Sequence, residues 1–176
     1  MADEKAPEVV TDQDCPICNK KTLTLVQDNR EVPFFGKCFL FSMSCTSCKY
    51  HKADIETEEK HDPVKFTIDI NSEEDMKIRV VKSSEATIKI PHMVTVEGGE
   101  NSNGYISNIE GVLNRIKSAI ESARDSEEDE EIKKKAKNQL KKLQRVMWGQ
   151  ETLRIIIEDP TGNSAIISDK AVKAKL

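Results

Sequence analysis

Cys15-Pro16-Ile17-Cys18 and Cys45-Thr46-Ser47-Cys48 decide how this chain is read. Two residues separate the thiols within each pair, so each pair can grip one edge of a metal ion from a tight turn. Two such turns complete the tetrahedron that Zn²⁺ accepts in structural sites. The 26 residues between the pairs exceed the roughly 15–20 of the commonest spacing. They read as a strand over 23–27, a turn at 28–30 and a strand over 38–44, so the added length is a hairpin. Two unrelated surface turns, or a redox role for one C-x-x-C, would leave the second pair without a reason. Four thiolates saturate zinc and leave no position for a reactive water. The expected cofactor is therefore one structural Zn²⁺ held by Cys15, Cys18, Cys45 and Cys48. Its task is to supply the folding free energy that so small a ribbon cannot obtain by burial alone. The fifth thiol, Cys38, lies in the strand-like run 36–44 and reads as a small buried hydrophobe.

Outward from the ribbon, the composition sets bounds. The 176 residues are 33% charged, 37% hydrophobic and 5% aromatic, with a mean hydropathy of −0.56. Such a chain folds as one ordinary domain, or as a small module beside a modest one, around Ile, Val and Leu. No apolar run approaches the roughly 18 residues of a membrane helix. The opening MADEKAPEVV has no basic-then-apolar leader. Five Cys without a secretion signal point to a reducing, cytoplasmic setting, where clustered thiols bind metal. The net charge of −4 disfavours nucleic acid as the main partner. The ribbon differs locally: Lys20, Lys21, Arg30, Lys37, Lys49 and Lys52 face only Asp28 and Glu31, a surplus of four that the zinc–thiolate centre cuts by two.

Residues 1–14 read as a flexible tail and 15–52 as the ribbon. From 53 the period is two: Phe66, Ile68 and Ile70; Met76, Ile78 and Val80; Ile88 and Ile90; then Met93, Val94 and Val96. Short strands at this spacing argue an antiparallel sandwich or small barrel. The period then changes to three and four over Ile106, Ile109, Val112, Leu113, Ile116 and Ile120. Ser107-Asn108-Ile109-Glu110 reads as a capping box. An acidic break at 125–131 separates this helix from a second one carrying Ile132, Ala136, Leu140, Leu143 and Val146 on one face, with Gly149 as its stop. Residues 106–148 are thus a helical hairpin with an acidic tip and a basic second arm. Strands return at 153–157 and 165–167, around the turn-rich Asp159-Pro160-Thr161-Gly162-Asn163-Ser164. The fold class is mainly β with an α-hairpin: a zinc ribbon, a β domain over 53–168 with the hairpin inserted, and a flexible tail over 169–176.

Catalytic patterns are missing. His51, His61 and His92 form no metal-binding spacing, and the phosphate-cradling glycine loops and the nucleophile elbow are absent. The expectation is a protein that is not an enzyme.

Further motifs follow in order: Pro33-Phe34-Phe35-Gly36, a tyrosine after the second knuckle, Val80-Val81-Lys82-Ser83, Ile90-Pro91, a glycine loop, Glu110-Gly111-Val112-Leu113 and Asp159-Pro160-x-Gly162-Asn163-Ser164. Together with the knuckles, over about residues 15–168, this resembles the ZPR family of zinc-finger proteins. The resemblance implies a zinc ribbon, like that of translation initiation factor two, joined to a double-stranded β-helix (jelly-roll-like) domain with an inserted helical hairpin. It implies one such unit here, as in archaeal members, where eukaryotic members carry two. It also implies a protein partner, translation elongation factor one-alpha, whose folding the family assists. The candidate partner surface is on the hairpin at Lys134, Lys137 and Lys141. Three positions depart from the family pattern: Lys49 stands where Gly is common, His92 where Glu is common, and Cys38 where Val is usual.

Overall fold

The computed structural model describes residues 6–32, 36–58, 61–99 and 102–176. Pro33-Phe34-Phe35 and Asn101 of the glycine loop lie outside them. The first sheet is the ribbon: β1 (Glu8–Asp14), β2 (Lys21–Val32), β3 (Gly36–Cys45) and β4 (His51–Thr57), paired antiparallel in that order. The jelly-roll follows with β5 (Val64–Ile70), a 3₁₀ turn (Glu74–Lys77), β6 (Arg79–Lys82), β7 (Thr87–Ile90), β8 (Val94–Val96) and β9 (Tyr105–Asn108). Helices α1 (Ile109–Ser126) and α2 (Glu130–Met147) come next, then β10 (Leu153–Asp159), β11 (Ala165–Ile167) and β12 (Val172–Lys175). The strands form a five-stranded sheet, β12-β5-β10-β7-β8, and a three-stranded sheet, β11-β6-β9.

The core follows from the two periodicities. Val64, Phe66, Ile68 and Ile70 of β5 alternate inward, as do Leu153, Ile155 and Ile157 of β10 and Ile88 and Ile90 of β7. Val112, Leu113, Ile116 and Ile120 of α1 join the same cluster with Ala136, Leu143 and Val146 of α2. Each buried Val, Leu or Ile among them contributes about 1.5–3 kcal/mol. The run 153–157 is central because β10 pairs with β5 on one side and β7 on the other.

Several expectations need correction. The tail over 1–14 is a strand from Glu8 onward, and that over 169–176 is a strand at 172–175. Every residue of both strands is exposed, so the backbone ladder holds them and no apolar period betrays them. The ribbon ends at Thr57 rather than 52, because β4 continues to pair with β3 up to Cys38. The turn at 28–30 is strand: Asp28, Asn29 and Arg30 pair with Leu40, Phe39 and Cys38, and the pairing continues to Val32 and Gly36. Met76 is not in a strand. The Asp75 carboxylate accepts the Asn71 and Ser72 amides at 3.0 and 3.2 Å, and this local turn winds 74–77 into 3₁₀ geometry. The hairpin starts at 109 rather than 106. Asn108 caps α1 by accepting the Gly111 N–H at 2.8 Å, while Ile106 and Ser107 lie in β9, paired with β6. Ile132 is half exposed, where α2 runs toward the hairpin tip.

The ribbon and the jelly-roll are locked together. Cys38 and Ile55 of the ribbon pack on Val81, with Leu40, Ile106 and Ile167 around them. Asp54 of β4 accepts the Ser84 N–H at 2.9 Å and the Ser84 hydroxyl at 2.5 Å. The Ala53 N–H reaches Asn103 Oδ1 at 2.9 Å, and the Gly104 N–H returns to Ala53 O at 2.8 Å. A Cβ on Gly104 would lie 2.8 Å from Asp54 Oδ1 and 2.9 Å from the Ile55 nitrogen, so only glycine permits this approach.

Candidate metal centre and partner surface

The two knuckles are built alike. The Cys15 N–H donates to Lys20 O and the Asn19 N–H to Cys15 O. The Cys45 N–H donates to Tyr50 O and the Lys49 N–H to Cys45 O. The residue after the second thiol of each pair takes a left-handed backbone, with φ of 55° at Asn19 and 62° at Lys49. This turn brings both sulfurs of a pair to one side. A glycine would adopt it freely, whereas Lys49 adopts it under strain.

β2 and β3 then bring the knuckles together. Leu23 pairs with Cys45, and both are buried with Cys15, against Leu25, Met43 and Tyr50. The ligand atoms of Cys15, Cys18, Cys45 and Cys48 all lie within 4.8 Å of one another. Cys15 Sγ to Cys48 Sγ and Cys18 Sγ to Cys45 Sγ are each 3.7 Å. That is far beyond a disulfide of about 2.05 Å. It matches the roughly 3.8 Å edge of a tetrahedron with Zn–S bonds of about 2.3 Å. The four sulfurs therefore fit a structural zinc site.

Charge supports the fit. Hydrogen bonding from the Cys48 amide, and next from the Thr22 hydroxyl 3.2 Å away, lowers the Cys45 thiol to about 6. The Tyr50 amide favours the Cys48 thiolate, but burial and the other three thiols push Cys48 up to about 12. Four thiolates cannot share this volume without a cation, and a bound dication deprotonates coordinating thiols outright. Cys38 stays outside the cluster: it is fully buried, and burial raises its thiol, as a packing residue requires.

Val80-Val81-Lys82-Ser83 and the turn Asp159–Ser164 converge on a buried network that sequence reasoning did not foresee. Asp159 has no exposed surface. It accepts the Ser83 and Ser164 hydroxyls at 2.8 and 2.5 Å and the Thr161 N–H and hydroxyl at 2.8 and 2.7 Å. The Ser83 N–H donates to Ser164 Oγ at 2.9 Å. Lys82, 1% exposed, donates to Ser83 O and Ser102 Oγ, and burial pulls its ammonium below the usual lysine range. These motifs thus fasten β6 to the β10–β11 turn, and Asp54 and Thr57 tie the ribbon to the same place. Polar residues recurring around turns were the available signal; their meeting depends on the tertiary fold.

His51 opens β4 and hydrogen-bonds Ser44, and His92 is an exposed turn residue with φ of 61°. Lys134, Lys137 and Lys141 are exposed on α2, away from the metal centre's cluster.

Comparison with known proteins agrees with this architecture. Residues 74–175 match the ZPR1 jelly-roll domain. A ZPR1-like protein of Methanocaldococcus jannaschii is 36% identical over 158 residues, covering 89% of this chain and 80% of that protein. A second, of Pyrococcus horikoshii, is 35% identical over 184 residues, covering 100% and 82%. A zinc finger chaperone of Schizosaccharomyces pombe is 27% identical over 139 residues, 77% of this chain and 30% of that protein.

Proposed function

The chain belongs to the ZPR1 family of zinc-finger proteins, and on that premise we propose that it is a non-catalytic cytoplasmic protein that binds translation elongation factor one-alpha and assists its folding. The observation that carries this reading is the rigid pairing of a four-thiol ribbon with a jelly-roll from which a helical hairpin extends. A ribbon and a helical hairpin carried on one packed frame offer a client two surfaces to hold it while it folds. A relative named a chaperone supports the same task. In this reading the zinc ion holds the ribbon in shape and takes no part in chemistry, and the hairpin lysines Lys134, Lys137 and Lys141 contact the client.

The test is direct binding of zinc-loaded protein to purified elongation factor one-alpha, with refolding yield of the factor as second readout. Saturable binding that is lost in Cys48→Ser, with a raised refolding yield, is the expected result. Absence of binding at micromolar concentrations would sink it.

A further inference from the structure

Lys134, Lys137, Lys141, Arg145 and Trp148 are all exposed. At about 100° per residue they fall within an 80° arc of α2, a stripe about 21 Å long. The stripe ends on Trp148, the C-cap of α2 and the chain's one tryptophan, 55% exposed. Of these cations Arg145 is partly neutralised by Glu151 at 3.2 Å, and Lys137 feels Glu130 at the head of α2, whose direct ion pair is with Lys133; Lys134 and Lys141 complete the row.

We propose that this stripe is a docking surface for an acidic protein segment whose apolar socket takes the Trp148 indole. The proposal deepens the functional reading above, since it names the chemistry of the client's contact. Charge complementarity selects the occupant: four cations line one helix face of a protein whose net charge is −4. A large exposed aromatic beside cations is the composition of an interface anchor, where Trp and Arg carry disproportionate binding energy. Protein is favoured over nucleic acid. A single aromatic offers no ladder on which successive bases stack.

The experiment uses full-length, zinc-loaded protein. Affinity for purified elongation factor one-alpha is measured for wild type, Trp148→Ala, Trp148→Phe and the triple variant Lys134→Glu/Lys137→Glu/Lys141→Glu. Trp148→Ala and the triple variant should each weaken binding about tenfold, and Trp148→Phe less than about threefold. Melting temperature and zinc content should be unchanged in all three. Wild-type affinity in Trp148→Ala overturns the stripe and leaves the proposed function standing. If the factor does not bind wild type, the proposed function fails, and a second probe decides the stripe. It is a Trp-free helical peptide with glutamates at every third and fourth position and a leucine near one end, followed by Trp148 emission. A saturable blue shift, abolished by about 0.5 M salt, supports the stripe; no shift overturns it. Tighter binding of oligo-uridine than of the peptide, seen in the same emission, overturns the protein partner.

Discussion

At the residue scale, the left-handed backbone at Lys49 is a measurable weakness. Relieving it by Lys49→Gly should stabilise the second knuckle by about 1 kcal/mol, offset partly by the freedom glycine gains in the unfolded chain. Competition with a chelator should show tighter zinc retention, and Asn19→Gly should gain less, because asparagine tolerates this conformation. A looser hold in Lys49→Gly would mean that the lysine side chain contributes to the turn. Cys38→Ala should keep one zinc per chain, whereas Cys15→Ser should lose it; stoichiometric zinc in Cys15→Ser would show that the ligand set is wrong. The ligands were legible in the sequence because metal geometry imposes spacing directly. The Asp159 network was not, because Ser83 is 76 residues away and meets the Asp159 turn only in the fold.

At the element scale, the start of α1 and the end of the chain offer two tests. A Cβ on Gly111 would lie 2.1 Å from Ser107 Oγ. Gly111→Ala should therefore destabilise by about 1–3 kcal/mol, and adding Ser107→Ala should recover much of the loss in a thermal melt. Lys170, just before β12, pairs with the buried Asp75 at 2.6 Å. Burial would raise the Asp75 carboxyl, but the Asn71 amide, Lys170 and Ser72 outweigh it and hold the group below its ordinary value. The unfolded chain then binds the proton more readily than the folded one. The stabilisation is complete above about pH 4, the unfolded value, and disappears as pH falls through the lower folded one. Asp75→Asn should flatten the acid limb of stability against pH; an unchanged limb would remove Asp75 from the account. Elements that bury a face were legible from their period: α1, α2, β5 and β10. Those with every residue exposed, β1 and β12, carried no such signal. The 3₁₀ turn mimicked a strand because Met76 is buried and Ile78 and Val80 follow at period two.

At the scale of the whole molecule, the junction between ribbon and jelly-roll decides how the protein melts. Asp54 is its polar centre, taking both donors of Ser84 beside the Cys38–Ile55–Val81 contact. Asp54→Ala should take the carboxylate from three buried donors, the Ser84 N–H and hydroxyl and the Ile55 N–H, a cost of about 1–3 kcal/mol. It should also split one cooperative transition into two, the zinc-dependent ribbon apart from the jelly-roll. A single transition with zinc-dependent midpoint in Asp54→Ala would show that the apolar contact alone couples them.

Strand order carries a consequence for synthesis on the ribosome. The ribbon is contiguous, ending at Thr57, so both knuckles leave the exit tunnel early and can capture their ion while the rest of the chain is still being made. The jelly-roll cannot close in the same way. Its central strand, β10, is made only after both helices, so β5 and β7 must wait for the segment that joins them. For that interval the nascent chain is a finished metal module followed by strands, β5 and β7 among them, whose sheet partners do not yet exist. Its exposure to aggregation is then set by how quickly residues 153–159 follow the hairpin out.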